Sequence, residues 1–156
     1  MIRKANTADF EKILKLWLES SVKAHSFIPS EYWGQILPTI RDHYLPQSNT
    51  YVYEDKRQIK GFISLMDNNF IGALFVHPLW QRSRIGTKLL RYVRRRRPNM
   101  SLRVFAQNKN ALRFYQSQGF KAVSEHYDTF TRSSELLMAW AQGCFSGYSK
   151  VFAGDS

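Results

Sequence analysis

Cysteine is almost missing from this chain. Cys144 is the only one in 156 residues, so no disulfide can staple the fold from within, and no Cys/His cluster has the spacing of a zinc site. Long apolar runs are missing too. Nothing approaches the roughly 20 residues that span a bilayer, and Met1-Ile2-Arg3-Lys4 leads into a charged amphipathic stretch instead of the apolar core of a secretory signal. A cytoplasmic protein without membrane attachment is the expectation. Negative charge is scarce: 12 Asp and Glu stand against 23 Lys and Arg, for a net charge of +11. That excess favours a polyanionic partner of some kind without choosing among nucleic acid, acidic protein, membrane surface and phosphate-rich cosubstrate. Internal repeats and low-complexity segments are absent. What remains, 44% hydrophobic and 22% charged residues, is the composition of a folded domain, and the length suits one domain better than two. The expected layout is a single domain over 1–142 and a Gly- and Ser-rich flexible tail over 143–156.

Taken in order, 2–5 reads as a short strand closed by Asn6-Thr7, good helix caps. Phe10, Ile13, Leu14, Trp17 and Leu18 then recur at helical spacing, with Glu11, Lys12, Lys15 and Glu19 opposite. Beyond the loop His25-Ser26-Phe27-Ile28-Pro29, Ser30 caps a second helical pattern that runs to Tyr44, which Pro38 is expected to kink or split. Past Pro46 the period becomes alternating. Strands over 50–54, 59–66 and 69–76, with turns at 55–58 and 67–69, form an antiparallel meander. A basic helix over 81–97 stops before Pro98, and 102–106 returns as a strand parallel to 70–76. A helix over about 109–118 ends at Gly119, and 120–127 with 135–140 make a final antiparallel pair.

Two stretches concentrate chemistry. In the first, an apolar strand (Phe70, Ile71, Leu74, Phe75, Val76) breaks at His77-Pro78, and Gln81-Arg82-Ser83-Arg84-Ile85-Gly86 opens the basic helix. A helix restarting just beyond a strand aims its unpaired N–H groups and positive dipole end outward, which suits phosphate. The second is Asn108-Lys109-Asn110-Ala111-Leu112-Arg113-Phe114-Tyr115, followed by Gln118-Gly119-Phe120. Either Asn108 or Asn110 can cap that helix.

Val76, Pro78, Gln81, Ile85 and Gly86, with Leu89-Leu90, resemble the acyl-CoA signature of the GNAT acetyltransferases, Gln/Arg-x-x-Gly-x-Gly/Ala. The second stretch resembles that family's Asn-x-x-Ala-x-x-x-Tyr with a Gly-Phe after it. The order of elements over about 1–140 is also the family's. Further likeness, to its small bacterial members, lies in His25-Ser26-Phe27-Ile28, Tyr32-Trp33 and Gly72-Ala73-Leu74-Phe75-Val76. The resemblance implies an α+β GNAT fold: a mixed, mostly antiparallel sheet of six to seven strands, splayed in the middle and flanked by about four helices. It implies an N-acetyltransferase that moves the acetyl group of acetyl-CoA to a primary amine, on a protein lysine, a protein N-terminus or a small molecule. No metal is called for.

Carried over by position, the resemblance implies that acetyl-CoA is held by Leu74, Phe75 and Val76, by Gln81, Arg82, Ser83, Arg84, Ile85, Gly86 and Thr87, and by Asn108. Tyr115 takes the place of the general acid that meets the departing thiolate. The pantetheine arm is expected to pair like an added strand beside Leu74 and Val76, and a main-chain N–H there to stabilise the oxyanion. Two departures stand out. The motif's first glycine falls on Arg84, where a left-handed backbone would cost on the order of 1 kcal/mol; either phosphate binding is weakened or the guanidinium itself joins it. The strand 69–76 has no carboxylate, which leaves His25 as candidate base, or a water chain to Glu54 or Asp67. Arg91 and Arg94 to Arg97 read as a solvated face, with Arg91 or Arg94 alternatively reaching the ribose phosphate. The competing reading is a degenerate GNAT scaffold that binds CoA or a partner without catalysis. Nucleic acid is disfavoured as partner for want of a recognised motif, and a monomer or homodimer is expected.

Overall fold

The computed structural model describes residues 1–142; the expected tail over 143–156 lies outside the described residues. The described chain forms two compact units, Met1–Val93 and the part from Arg94 onward.

The first unit begins with β1 (Ile2–Lys4) and a 3-10 turn over Thr7–Asp9, then α1 (Phe10–Ala24). The entry to α1 is fixed twice. Asn6 accepts from the amide of Ala8 at 3.0 Å while Asp9 accepts from the amide of Asn6 at 2.9 Å, a reciprocal cap. Arg3 then forks onto Asp9 at 2.8 and 3.0 Å and onto Glu54 at 3.1 and 3.2 Å. That pairing holds both carboxyls below the usual range.

The second helical pattern does not break at Pro38. α2 (Ser30–Thr39) carries the proline inside it and continues through a π-helical stretch, Ile40–Tyr44, into α3 (Leu45–Gln47). Pro38 can only leave a carbonyl without its donor, and the wider turn that follows re-seats the ladder, the amide of Leu45 reaching back to the carbonyl of Ile40.

β2 (Asn49–Asp55), β3 (Gln58–Met66) and β4 (Phe70–Val76) form the meander, with β1 antiparallel to β2. Lys56 and Arg57 both have positive φ, 51° and 62°, the geometry of a two-residue hairpin turn matched to strand twist. Between β3 and β4 the register slips: Ser64 faces Ala73 but Leu65 faces Ile71, so Gly72 is an extra residue. Such a bulge bends a strand and resets which side chains share a face. After it Ala73 and Phe75 lie on the face of Ser64 and Phe62. α1 packs on β3 and β4, and α4 (Ile85–Arg94) covers the opposite face, its Ile85 and Leu89 lying over Gly61. A Cβ at Gly61 would sit 3.0 Å from the carbonyl of Phe75, so the close approach requires glycine.

α4 is shorter than the pattern over 81–97 suggests. Arg82 and Arg84 have φ of 68° and 66°, which no right-handed helix admits, so the helix starts at Ile85. It closes at Arg94, three residues before the Arg97 that Pro98 bars from helical backbone.

In the second unit β5 (Asn99–Phe105) pairs antiparallel with β7 (Ser133–Ala141), which pairs with β6 (Lys121–Asp128). α5 (Lys109–Ser117) ends at Gly119, whose φ of 92° is the left-handed stop its sequence position suggests. Tyr115 and Phe120 are buried against each other with ring centroids 5.6 Å apart.

Candidate active site

In the first unit the loop between β4 and α4 is built largely from its own polar atoms. The amide of His77 continues the ladder to the carbonyl of Lys60 at 2.8 Å, and its Nδ1 accepts from the amide of Leu79 at 3.1 Å. Gln81 turns its side-chain amide back onto the carbonyl of Val76 at 3.2 Å, and the Ser83 hydroxyl donates to the carbonyl of Trp80. Lys60 lies over the Trp80 ring and binds Asp55 at 2.8 Å. The loop thereby brings Gln81, Arg82, Ser83 and Arg84 together at the head of α4, all four exposed. The first-turn amides of a helix have no intrahelical acceptor, and here two exposed arginines, Arg82 and Arg84, directly precede that positive end. Ile85 is buried and anchors the start, while Gly86 and Thr87 are half-buried. Arg84 occupies the left-handed conformation the motif's glycine would supply. The backbone path is kept at the cost of strain.

Leu74, Phe75 and Val76 are half-buried at the end of β4. Phe75 meets Phe62 across the strands, centroids 6.0 Å apart, and Val76 faces Gly61. Upstream on β4, α1, the π-helical stretch and the strands enclose a pocket of about 280 Å3, walled by Trp17, Tyr44, Phe62, Met66 and Phe70, with Ser48 and Ser64 among its lining. The linear pattern did not reveal it. Its one signal was the hydroxyl residues Thr50 and Ser64 at buried strand positions, with Ser48 just before β2.

His25 is not an exposed loop residue. It caps α1, is 7% exposed, stacks on Trp33 at 4.8 Å and meets Phe27 edge-on. Its Nδ1–H donates to the carbonyl of Ser21 at 2.9 Å, which leaves Nε2 as the basic nitrogen. Burial lowers its pKa. Glu54 is held by Arg3, and Asp67 is exposed in the turn before β4.

In the second unit the capping alternative resolves in favour of Asn108, whose side-chain oxygen accepts from the amide of Ala111 at 3.3 Å. Tyr115, two turns along α5, is 8% exposed. Burial raises its pKa, so the hydroxyl stays protonated. Arg94 does not reach outward as one reading of the charge run had it. It donates to the main-chain carbonyl of Gln118 and lies over the Trp140 ring at 4.9 Å. Glu135 on β7, which pattern reading passed over, is a half-buried carboxylate whose pKa is raised by burial and then by nearby Asp128.

Among the described residues no group of three or more His, Cys, Asp or Glu could hold a metal, and no helix is long and apolar enough to cross a membrane.

The GNAT acetyltransferase domain family matches residues 15–130. The chain is 39% identical to the peptidyl-lysine N-acetyltransferase YiaC of Escherichia coli over 140 residues, 90% of this chain and 96% of YiaC. It is 28% identical to the peptidyl-lysine N-acetyltransferase YjaB of the same organism, over 78% of this chain and 82% of YjaB. The solution structure of apo YjaB superposes with a TM-score of 0.78, covering 90% of this chain and 96% of that one at 25% identity. An aminoglycoside 6'-N-acetyltransferase complexed with coenzyme A has the same fold at 14% identity, with a TM-score of 0.69 over 90% of this chain and 96% of that one. A seven-stranded α+β fold with helices, both motifs in order and a family match across most of the length give one conclusion: the chain belongs to the GNAT acetyltransferase family.

Proposed function

We propose that this protein transfers the acetyl group of acetyl-CoA to the side-chain amine of protein lysines. The observation that carries the acceptor is the 39% identity to YiaC, a peptidyl-lysine N-acetyltransferase, over nearly the whole of both chains. Bound CoA in a structural relative supports the cosubstrate. We read both units as parts of one domain over 1–142, because the family match runs through their boundary. We also take the protein to be cytoplasmic.

In this reading the head of α4 and the loop over 81–84 hold the pyrophosphate with main-chain N–H groups, aided by Arg82 and Arg84. The end of β4 lines the pantetheine arm, and Asn108 contributes to the same arm. A neutral lysine amine attacks the thioester carbon, and the oxyanion that forms is met by a main-chain N–H of Leu74 to Val76. Collapse expels the thiolate and restores the carbonyl. Tyr115 donates a hydrogen bond to that sulfur. A thiol of pKa about 8.5 is a stronger acid than a phenol of about 10, and burial widens the gap, so the hydroxyl stabilises the thiolate more than it protonates it. The amine's proton leaves by water. His25 is a poor acceptor for it because burial disfavours its cation.

Calorimetric titration with acetyl-CoA, with CoA and ATP as controls, tests the cosubstrate; mass spectrometry of lysine peptides after incubation tests the transfer. Saturable binding that prefers acetyl-CoA over ATP, followed by acetyl-lysine formation, is the expected result. Equal weak binding of all three that fades with salt would mean only bulk charge is felt. The degenerate-scaffold reading, favoured by Arg84 and by the missing carboxylate on the strand over 69–76, predicts binding without transfer.

A further inference from the structure

The pocket beside β4 has an unusual lining for a surface that meets lysine: none of its lining residues is charged. Besides the Tyr44 phenol and the Trp17 indole, its polar content is a chain of hydroxyls, and the protons in that chain can be counted. Ser48 donates its only hydroxyl proton to the carbonyl of Leu45 at 2.9 Å. The 2.8 Å contact between Ser48 and Thr50 must therefore be donated by Thr50. The 2.7 Å contact between Thr50 and Ser64 must then be donated by Ser64. Every proton of the chain runs from Ser64 toward the carbonyl of Leu45. Ser64, 6% exposed and lining the pocket, presents lone pairs only. Around it stand Trp17, Tyr44, Phe62 and Phe70, with the Gly72 bulge on the β4 side.

We infer that this pocket is a specificity subsite for an aromatic side chain carrying a hydrogen-bond donor, tyrosine or tryptophan, next to the lysine of the acceptor polypeptide. The walls suit a flat ring. An acidic or acceptor-only group would face the Ser64 lone pairs without a partner, a buried mismatch sites reject strongly, whereas a phenol O–H or indole N–H completes the chain. The pocket directly precedes Leu74 to Val76 on the same strand, so a neighbouring residue seated there would hold the lysine near the proposed reaction centre. The inference rests on the proposed lysine acetyltransferase reading for its peptide part, and on geometry alone for the pocket.

The binding test is independent of acetyl transfer. Titration of the full chain with p-cresol, toluene and 4-methylanisole, followed by NMR of the Trp17 indole and Met66 methyl, should show saturable binding in which p-cresol is tighter by roughly tenfold, the order expected for one buried hydrogen bond. Ala73→Leu, which fills the pocket, should abolish it. Thr50→Val makes the matter sharper. Without Thr50 as acceptor the Ser64 proton is released toward the pocket, so 4-methylanisole should approach p-cresol. No saturable binding, or equal binding of all three by the unaltered protein, would overturn the inference. With transfer established, peptides bearing Lys beside Tyr or Trp should exceed those with Asp or Ala by roughly tenfold in kcat/KM, and Ala73→Leu should erase that difference while sparing acetyl-CoA affinity. Loss of selectivity without loss of binding would leave a pocket that the acceptor does not use and overturn the peptide assignment. Failure of all transfer alongside normal p-cresol binding would instead sink the acetyltransferase reading.

Discussion

The loop over 77–84 and helix α5 carry the two halves of the family signature, and they are built on opposite principles. The loop is exposed, holds two arginines in left-handed backbone and is stitched by main-chain and short polar contacts. In the proposed role it offers a phosphate mostly its amides and the start of α4, so the identity of a side chain such as Arg84 can depart from the pattern while the path survives. α5 is regular, capped by Asn108 and closed by Gly119, and in the proposed role it offers the single hydroxyl of the buried Tyr115. One site tolerates substitution at an energetic cost. The other has nothing to substitute for the group it presents.

The largest effect should therefore fall on α5. Tyr115→Phe is expected to lower turnover by about 100-fold or more, the usual range for a lost acid or hydrogen-bond donor, and to leave acetyl-CoA affinity within about twofold. Steady-state kinetics with a lysine peptide, together with calorimetry, check both. Stability should change little, since the ring that packs against Phe120 is kept and only the hydroxyl is lost. pH adds a second handle. Burial lifts the Tyr115 pKa above its ordinary value, so the hydroxyl remains a neutral donor through pH 10 and cannot produce a falling alkaline limb below that. Activity should rise with pH as the acceptor amine loses its proton, and an acceptor of lower pKa should move the rise down accordingly. Unchanged turnover in Tyr115→Phe would end the contrast between the two regions.

A smaller loss is expected where α5 is tied down. The Arg94 guanidinium binds the carbonyl of Gln118, just beyond the helix, and covers the Trp140 ring. Arg94→Ala should cost about 2 kcal/mol in denaturant unfolding, combining a charge-assisted hydrogen bond with a cation–π contact. Arg91→Gln, on an exposed neighbour of the same helix, should stay within about 0.5 kcal/mol. Equal effects would return Arg94 to the solvated face suggested by the run of arginines.

That run shows where the sequence could be read and where it could not. Period and punctuation placed all seven strands and both long amphipathic helices, because burial on one face leaves a linear trace: Ile13, Leu14 and Trp17 at helical spacing, Gly119 at the end of α5. The family motif supplied Tyr115 and Asn108. Backbone conformation left a weaker trace. The helical pattern over 81–97 extended into Arg82 and Arg84, whose left-handed φ only three-dimensional context enforces. Pro38 promised a break, yet a π-helical turn absorbed it. Burial of a polar group leaves no trace at all, so His25 read as a loop residue and Glu135 went unremarked. The hydroxyl chain from Ser64 to Ser48 joins residues on two strands and a loop, and its proton direction depends on the carbonyl of Leu45.

The smallest effect separates the backbone of the loop from its side chain. Arg84 has φ of 66°, so Arg84→Gly removes strain on the order of 1 kcal/mol but adds unfolded-state freedom of similar size, and net stability should change little. Arg84→Ala removes the guanidinium and keeps the strain. If the phosphate is held by amides, both variants should bind acetyl-CoA within about threefold of the original, glycine equal or better, as calorimetry would register. A loss of tenfold or more, about 1.4 kcal/mol, in both variants alike would make the guanidinium a direct phosphate ligand. In that case the loop, like α5, would work through a side chain, and the departure from the family's glycine would be a replacement of one kind of contact by another.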